Sequence, residues 1–196
     1  MKRIILASAS PRRSSILADI GLSFEVDPAS DYVEIHPETH DPEALVEMNA
    51  VGKAREVAQK YDNAFVIGVD TIGVFNGQVL EKPIDIEDAR RMITMLQGET
   101  HEVKTAICLI DTATKKELTA IESTKIKFLS LSKKEIDKYL EQDESMDKAA
   151  AYAAQGKAAL FIESFDGDYL NVVGLPIVRL NLMFKEFDFS LMDVVK

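Results

Sequence analysis

The stretch "AFVIGVDTIGVFNGQVL", residues 64–80, limits the folds open to this chain more than any other segment. Residues 65–69 are a continuous apolar run, and a strand with no polar alternation has to be covered on both faces. The run predicts a central strand of an α/β sheet that ends in Asp70-Thr71. Asn76-Gly77 lies between Val74-Phe75 and Gln78-Val79-Leu80 and predicts a β-hairpin, because both turn residues tolerate positive φ.

The remaining elements follow from local signals. Residues 3–7 predict a short buried strand, and residues 11–20 a helix with Ser10 as N-cap, Pro11 at its first position and Gly21 as its stop. Residues 24–26 predict a strand, followed by a polar loop to Asp41 that carries Asp31, Glu34, His36 and His40. Residues 42–60 are helical in pattern, with Leu45, Met48, Val51 and Val57 apolar. Residues 86–96 predict a helix stopped by Gly98, and residues 102–111 and 117–129 two strands. Ser132 with Glu135 forms a capping box opening a helix to residue 141. An Ala-rich stretch covers residues 149–159, helical over 149–154 in the reading that places Gln155 near a helix end. A strand over 160–165, a turn at Asp166-Gly167-Asp168 and a helix after Pro176 complete the chain.

Of the 196 residues, 46% are hydrophobic, enough for a real core, so disorder is not expected. The net charge of -10 argues against nucleic acid or an anionic membrane as partner, since both need a basic face. No run approaches the roughly 20 apolar residues of a membrane span, and the N-terminal apolar segment is too short for a signal peptide. A soluble intracellular protein is the expectation. Cys108, within an apolar run, reads as a buried strand thiol.

Four clusters can carry chemistry. Ser8, Ser10, Arg12 and Arg13 sit where the first strand meets the first helix, whose N-terminal amides favour an anion. Asp70-Thr71 offers a partly desolvated carboxylate that can hold a metal or accept a proton. Glu81-Lys82-Pro83 follows the hairpin, and Asp147-Lys148 with Gln155-Gly156 adds an amide able to read a base edge. Taken singly, each also reads as ordinary strand-end or surface chemistry. The three histidines lack metal-ligand spacing, and neither a P-loop, a dinucleotide fingerprint nor a nucleophile elbow is present.

Read in order, "LASASPRR", "VIGVDTIGVFNGQVLEKP", "LQGETHEV" and "DKAAAYAAQGKAALFIESFDGDYLNVVGLP" resemble the Maf family of nucleoside triphosphate pyrophosphatases, also called septum-formation inhibitor proteins. The resemblance runs from Leu6 to Pro176. It implies one domain over residues 1–196 with an α/β fold like that of the inosine triphosphate pyrophosphatases. That fold is a long central mixed sheet with two lobes around a cleft. It also implies a cytoplasmic homodimer that uses a divalent metal, Mg or Mn, to split a nucleoside triphosphate into monophosphate and pyrophosphate.

Carried over by position, Asp70 resembles the family's general base, with Lys82 beside it among the catalytic groups. Ser8, Arg13, Lys53 and Lys82 resemble the phosphate-binding groups, and Arg12, Thr71 and Gln155 the selectivity positions. Glu34, with Asp70, resembles the metal-binding carboxylates, although Asp31-Tyr32-Val33-Glu34 stands where the family usually has paired acids. Two further departures are Gly73, where a branched apolar residue is usual, and Ala150, where Gly is more frequent. The combination of Arg12, Thr71 and Gln155 resembles the branch acting on dTTP and UTP. Two alternatives stay open: a non-catalytic nucleotide-binding regulator of cell division, and a pyrophosphatase for another modified nucleotide.

Overall fold

A computed structural model describes residues 2–36, 41–142 and 144–195. Among the described residues, seven strands form one mixed sheet. They are β1 (Arg3–Leu6), β2 (Glu25–Val26), β3 (Ala64–Phe75), β4 (Gln78–Leu80), β5 (Thr100–Asp111), β6 (Glu117–Phe128) and β7 (Ile162–Asp166), in the order β2-β1-β3-β5-β6-β7 with β4 on β3. The helices are α1 (Pro11–Asp19), α2 (Pro42–Ala58), α3 (Ile86–Leu96), α4 (Lys133–Leu140), α5 (Tyr169–Val173) and α6 (Ile177–Lys185). Among the described residues, no helix is long and apolar enough to cross a membrane.

The chain divides into two compact units. Unit 1 holds Met1–Asp70, Thr105–Glu122 and Gly174–Lys196, and unit 2 holds Thr71–Lys104 and Ser123–Val173. The boundaries fall inside β3, β5 and β6. In unit 1, β1 runs parallel to both β2 and the first part of β3, with Leu6 opposite Ile67. Its core includes Ile5, Leu6, Leu17, Val66, Ile67 and Phe184, and the Phe65 ring meets Phe184, Phe187 and Phe189 edge to face. Such aromatic pairs contribute beyond their buried area. Cys108 is buried in β5, and burial pushes its thiol up to about 12, as a structural thiol should behave.

In unit 2 the core joins α3, α4 and the far ends of β5 and β6 through Ile93, Leu96, Val103, Ile126, Phe128, Tyr139 and Phe161. Ser132 and Glu135 complete the reciprocal capping box at α4. Asn76 and Gly77 both take positive φ, 50° and 78°, which is the hairpin turn expected of Asn-Gly.

Several expectations give way. β3 does not end at Asp70-Thr71 but continues to Phe75, because Gly73, Val74 and Phe75 pair with β4. Asp70 therefore lies in mid-strand, past the pairing with β1 and before the pairing with β4. Residues 149–154 are not an α-helix. Ala149–Ala151 is a 3-10 turn in which Ala150 and Ala151 have φ of 59° and 63°. Alanine's helix propensity is overridden by tertiary ties: the Ala150 amide bonds Glu81, and Tyr152 is fixed between His101 and Phe128. A second 3-10 turn, Lys157–Leu160, takes the start of the expected last strand, leaving Leu160 exposed and β7 to begin at Ile162. On α2, Met48 faces solvent while the polar Asn49 is buried. Ser10 holds the N-cap position of α1 without a side-chain capping bond. Of the two loop histidines, His40 lies outside the described residues.

Candidate functional site

The chemistry of unit 1 gathers at Asp70. Along β3, Val66, Gly68 and Asp70 share one face by the two-residue period of a strand, and α2 packs close at Gly68, against Ala50 and Ala54. Lys53, on the same helix, thereby reaches β3, and its Nζ donates to Asp70 Oδ1 at 2.7 Å. Both side chains are about 12% exposed, so the pair is shielded from bulk water.

A second carboxylate reaches the same ammonium from the acidic loop, Glu34 Oε1 at 2.5 Å. Lys53 is thus shared between a buried carboxylate and a half-exposed one. Two carboxylates converging on one cation are the hard oxygen donors that Mg²⁺ or Mn²⁺ takes, and such ions commonly combine one or two carboxylates with substrate phosphates. Asp70 and Glu34 therefore fit a divalent ion, with the lysine ammonium as the positive charge they hold in this structure.

The loop between β1 and α1 supplies the remaining groups of unit 1. The Arg13 guanidinium donates from Nη1 to Ser8 Oγ at 2.8 Å and from Nε to the Gly174 carbonyl at 2.9 Å. Ser8 is buried and also accepts the Ser10 amide at 3.3 Å, which leaves its own O–H to donate. Loss of solvent lowers the Arg13 pKa from its usual value, while the negative charges of Asp70 and Glu34 oppose that shift and the neighbouring Arg12 adds to it. Arg13 is therefore locked in orientation and within electrostatic reach of both carboxylates. Arg12 is half-buried in the first turn of α1.

Unit 2 carries the other expected residues. Thr71 is half-buried and, as the next residue on β3, points to the face opposite Asp70. Lys82 is exposed, just beyond β4, and the adjoining Glu81 carbonyl accepts the Ala150 amide at 3.1 Å. That bond ties the Lys82 segment to the turn leading to Gln155. Gln155 is exposed, and the chain just after it is pinned where the Lys157 amide donates to Glu144 Oε2 at 2.8 Å.

Sequence reasoning missed the side chains that hold these groups. Asn49 was legible only as a polar residue four positions from Leu45 and from Lys53, on the same helical face. Tyr32 OH donates to Asn49 Oδ1 at 3.1 Å, and its pKa is raised by burial and then by the charges of Asp70 and Glu34. In unit 2, buried Asn171 donates to the Val103 carbonyl and to Thr124 Oγ1, both at 3.0 Å.

A family model described as Maf-like protein matches residues 3–187. The chain is 42% identical over 191 residues to a dTTP/UTP pyrophosphatase of Dictyoglomus turgidum, covering 97% of this chain and 99% of that protein. It is 47% identical over 182 residues to a dTTP/UTP pyrophosphatase of Koribacter versatilis, covering 93% of each. Among solved structures, the Ham1 protein of Staphylococcus aureus superposes with a TM-score of 0.53 at 15% identity, covering 96% of this chain and all of that one, a likeness of fold alone. With a match across nearly its whole length, the chain belongs to the Maf family.

Proposed function

We propose that this protein hydrolyses dTTP and UTP between the α and β phosphates, releasing pyrophosphate and the nucleoside monophosphate. The observation that carries the reading is the Lys53 ammonium shared by Asp70 and Glu34, beside a locked Arg13, in a chain whose relatives bear that activity in their names.

On a chain of net charge -10, a triphosphate has to be met by particular cations, and Arg12, Arg13, Lys53 and Lys82 are the residues assigned that role. The Ser8 hydroxyl and the first amides of α1 add neutral donors to phosphate oxygens. Arg13 approaches preoriented, so less side-chain freedom is lost when it binds. Asp70 accepts the proton of the water that attacks the α phosphorus, and the Lys53 ammonium orients its carboxylate for that transfer. A divalent ion held by Asp70 and Glu34 would polarise phosphate oxygens and make that water more acidic. Arg12, Thr71 and Gln155 select the base, the Gln155 amide pairing with the carbonyl and imide N–H that thymine and uracil share. The same reading places the protein in the cytoplasm, where its substrates are held, and carries with it the homodimeric assembly of the family.

The test is pyrophosphate release with Mg²⁺ or Mn²⁺ from dTTP, UTP, CTP, ATP and GTP, for the wild type and Asp70→Asn. Rapid release from dTTP and UTP is expected, reduced about 100-fold or more in the variant, the usual contribution of a positioned base. Nucleotide binding without release from any of them would instead favour a regulator that uses nucleotide as a signal.

A further inference from the structure

Glu34 lies in a stretch with no regular secondary structure, yet its carboxylate is placed on Lys53. An ion pair with one partner more than half exposed holds little by itself. What fixes the loop lies one helical turn away on α2. Asn49, 4% exposed, accepts the Ile35 amide at Oδ1 (2.8 Å) and donates from Nδ2 to the Ile35 carbonyl (3.0 Å). Its side chain thus satisfies both backbone groups of one loop residue, as a neighbouring strand would. The same Oδ1 accepts Tyr32 OH.

The Tyr32 ring lies on Gly52, so close that a β-carbon there would come within 2.0 Å of Tyr32 Cε2. One turn further along the helix, the Asp31 amide donates to Glu56 Oε1 at 3.3 Å. The loop therefore runs antiparallel along α2, anchored at residues 31, 32 and 35. Between the anchors Val33 faces solvent, 83% exposed, and Glu34 faces Lys53.

We propose that Asn49 is a positioning residue of the catalytic centre, clamping the 31–36 loop so that Glu34 is held beside Lys53 and Asp70. This inference rests on the reading above that these three charged groups form the centre. The clamp restricts the Glu34 carboxylate before substrate arrives, and a displacement of an ångström at such a group is enough to cost rate.

The test is a double-mutant cycle on pyrophosphate release from dTTP with Asn49→Leu, Glu34→Gln and the pair. Asn49→Leu is expected to lower kcat/KM about tenfold or more in the wild-type background and by less than about twofold once Glu34 is Gln, the non-additivity of residues acting as one unit. An equal loss in both backgrounds, or none in either, would overturn the proposal. Gly52→Ala serves as a second variant if Asn49→Leu does not fold. It favours the helix and keeps every hydrogen-bonding group while evicting the Tyr32 ring, and the same dependence on Glu34 is expected. Amide hydrogen exchange over residues 33–36 reads the clamp without reference to activity. Slow exchange at Ile35 is expected in the wild type, and exchange about tenfold faster in either variant. Slow exchange in a wild type that releases no pyrophosphate would overturn the assigned reaction and leave the clamp standing, whereas fast exchange at Ile35 in the wild type would overturn the clamp whatever the activity.

Discussion

The carbonyl oxygen of Ala50 lies 2.2 Å from the point that a β-carbon on Gly68 would occupy. Backbone meets backbone there, so neither side can yield by a rotamer change. The contact sets the depth of α2 on β3, and with it the meeting of Lys53 and Asp70. Gly68→Ala is expected to push the helix off the strand at a cost of about 1–3 kcal/mol, the range for overpacked interiors. Thermal unfolding should register the loss. Turnover of dTTP should fall further than the fraction of folded protein explains, because the Lys53–Asp70 pair is stretched.

Gly73 and Ala150 face one another. A β-carbon on Gly73 would come within 2.9 Å of the Ala150 methyl, with Leu80 next at 3.6 Å. The small residue makes room for the larger one. Gly73→Ala alone is expected to destabilise by about 1–2 kcal/mol. Added Ala150→Gly should recover most of it, since it removes the clash and suits a backbone at φ 59°. Denaturant melts of the two single variants and the double give the coupling, and purely additive effects would show that the two positions are independent.

His101 is expected to govern acid stability. It is 1% exposed, its Nε2 lies 2.7 Å from Tyr152 OH, and its ring packs edge to face on Phe128 and Tyr152. Burial lowers its pKa from 6.5 to about 4. Between those values the unfolded chain binds a proton that the folded chain refuses, so stability rises with pH across that window and falls on acidification from 6.5 toward 4. The contribution is roughly 3 kcal/mol at full effect, at 1.36 kcal/mol for each pKa unit. His101→Gln should flatten the slope of unfolding free energy against pH in that interval, read by urea denaturation at several pH values.

Glu144 is expected to tune base selection through the chain beside Gln155. Its carboxylate accepts the Lys157 amide, two residues beyond Gln155. Removing a charged acceptor of this kind typically costs about 1.5–3 kcal/mol in local order. Glu144→Ala should raise KM for dTTP and UTP several-fold while kcat changes little, because the phosphate and water chemistry is carried elsewhere. Steady-state kinetics on both nucleotides and on CTP would show it, and a fall confined to kcat would refute it.

The signals that the sequence carried by itself were of short range. Ser132 and Glu135 are three residues apart and satisfy each other within one helical turn, so their capping box was legible without the fold. Asn76-Gly77 specifies its turn by backbone preference alone, and α3 has the bounds that its apolar period predicts. The four ordered sequence blocks were enough to identify the family, because they record the outcome of the fold in residues that need not be adjacent.

The tertiary structure decided what depends on partners distant in the chain. Asp70 read as a strand end, but pairing with β4 carries β3 on to Phe75. An alanine run with high helix propensity became a 3-10 turn because Glu81 and the His101–Phe128 cluster claim its backbone and its tyrosine. Lys53 and Asp70, 17 residues apart, meet only because Gly68 and Ala50 let a helix approach a strand. Asn49 gave no sequence signal of its role, because the Ile35 backbone it holds lies 14 residues away. Local propensities are worth tenths of a kcal/mol to about 1 kcal/mol per residue, whereas a buried polar group left without its partner costs about 1–3 kcal/mol, so where the two conflicted the long-range contacts prevailed.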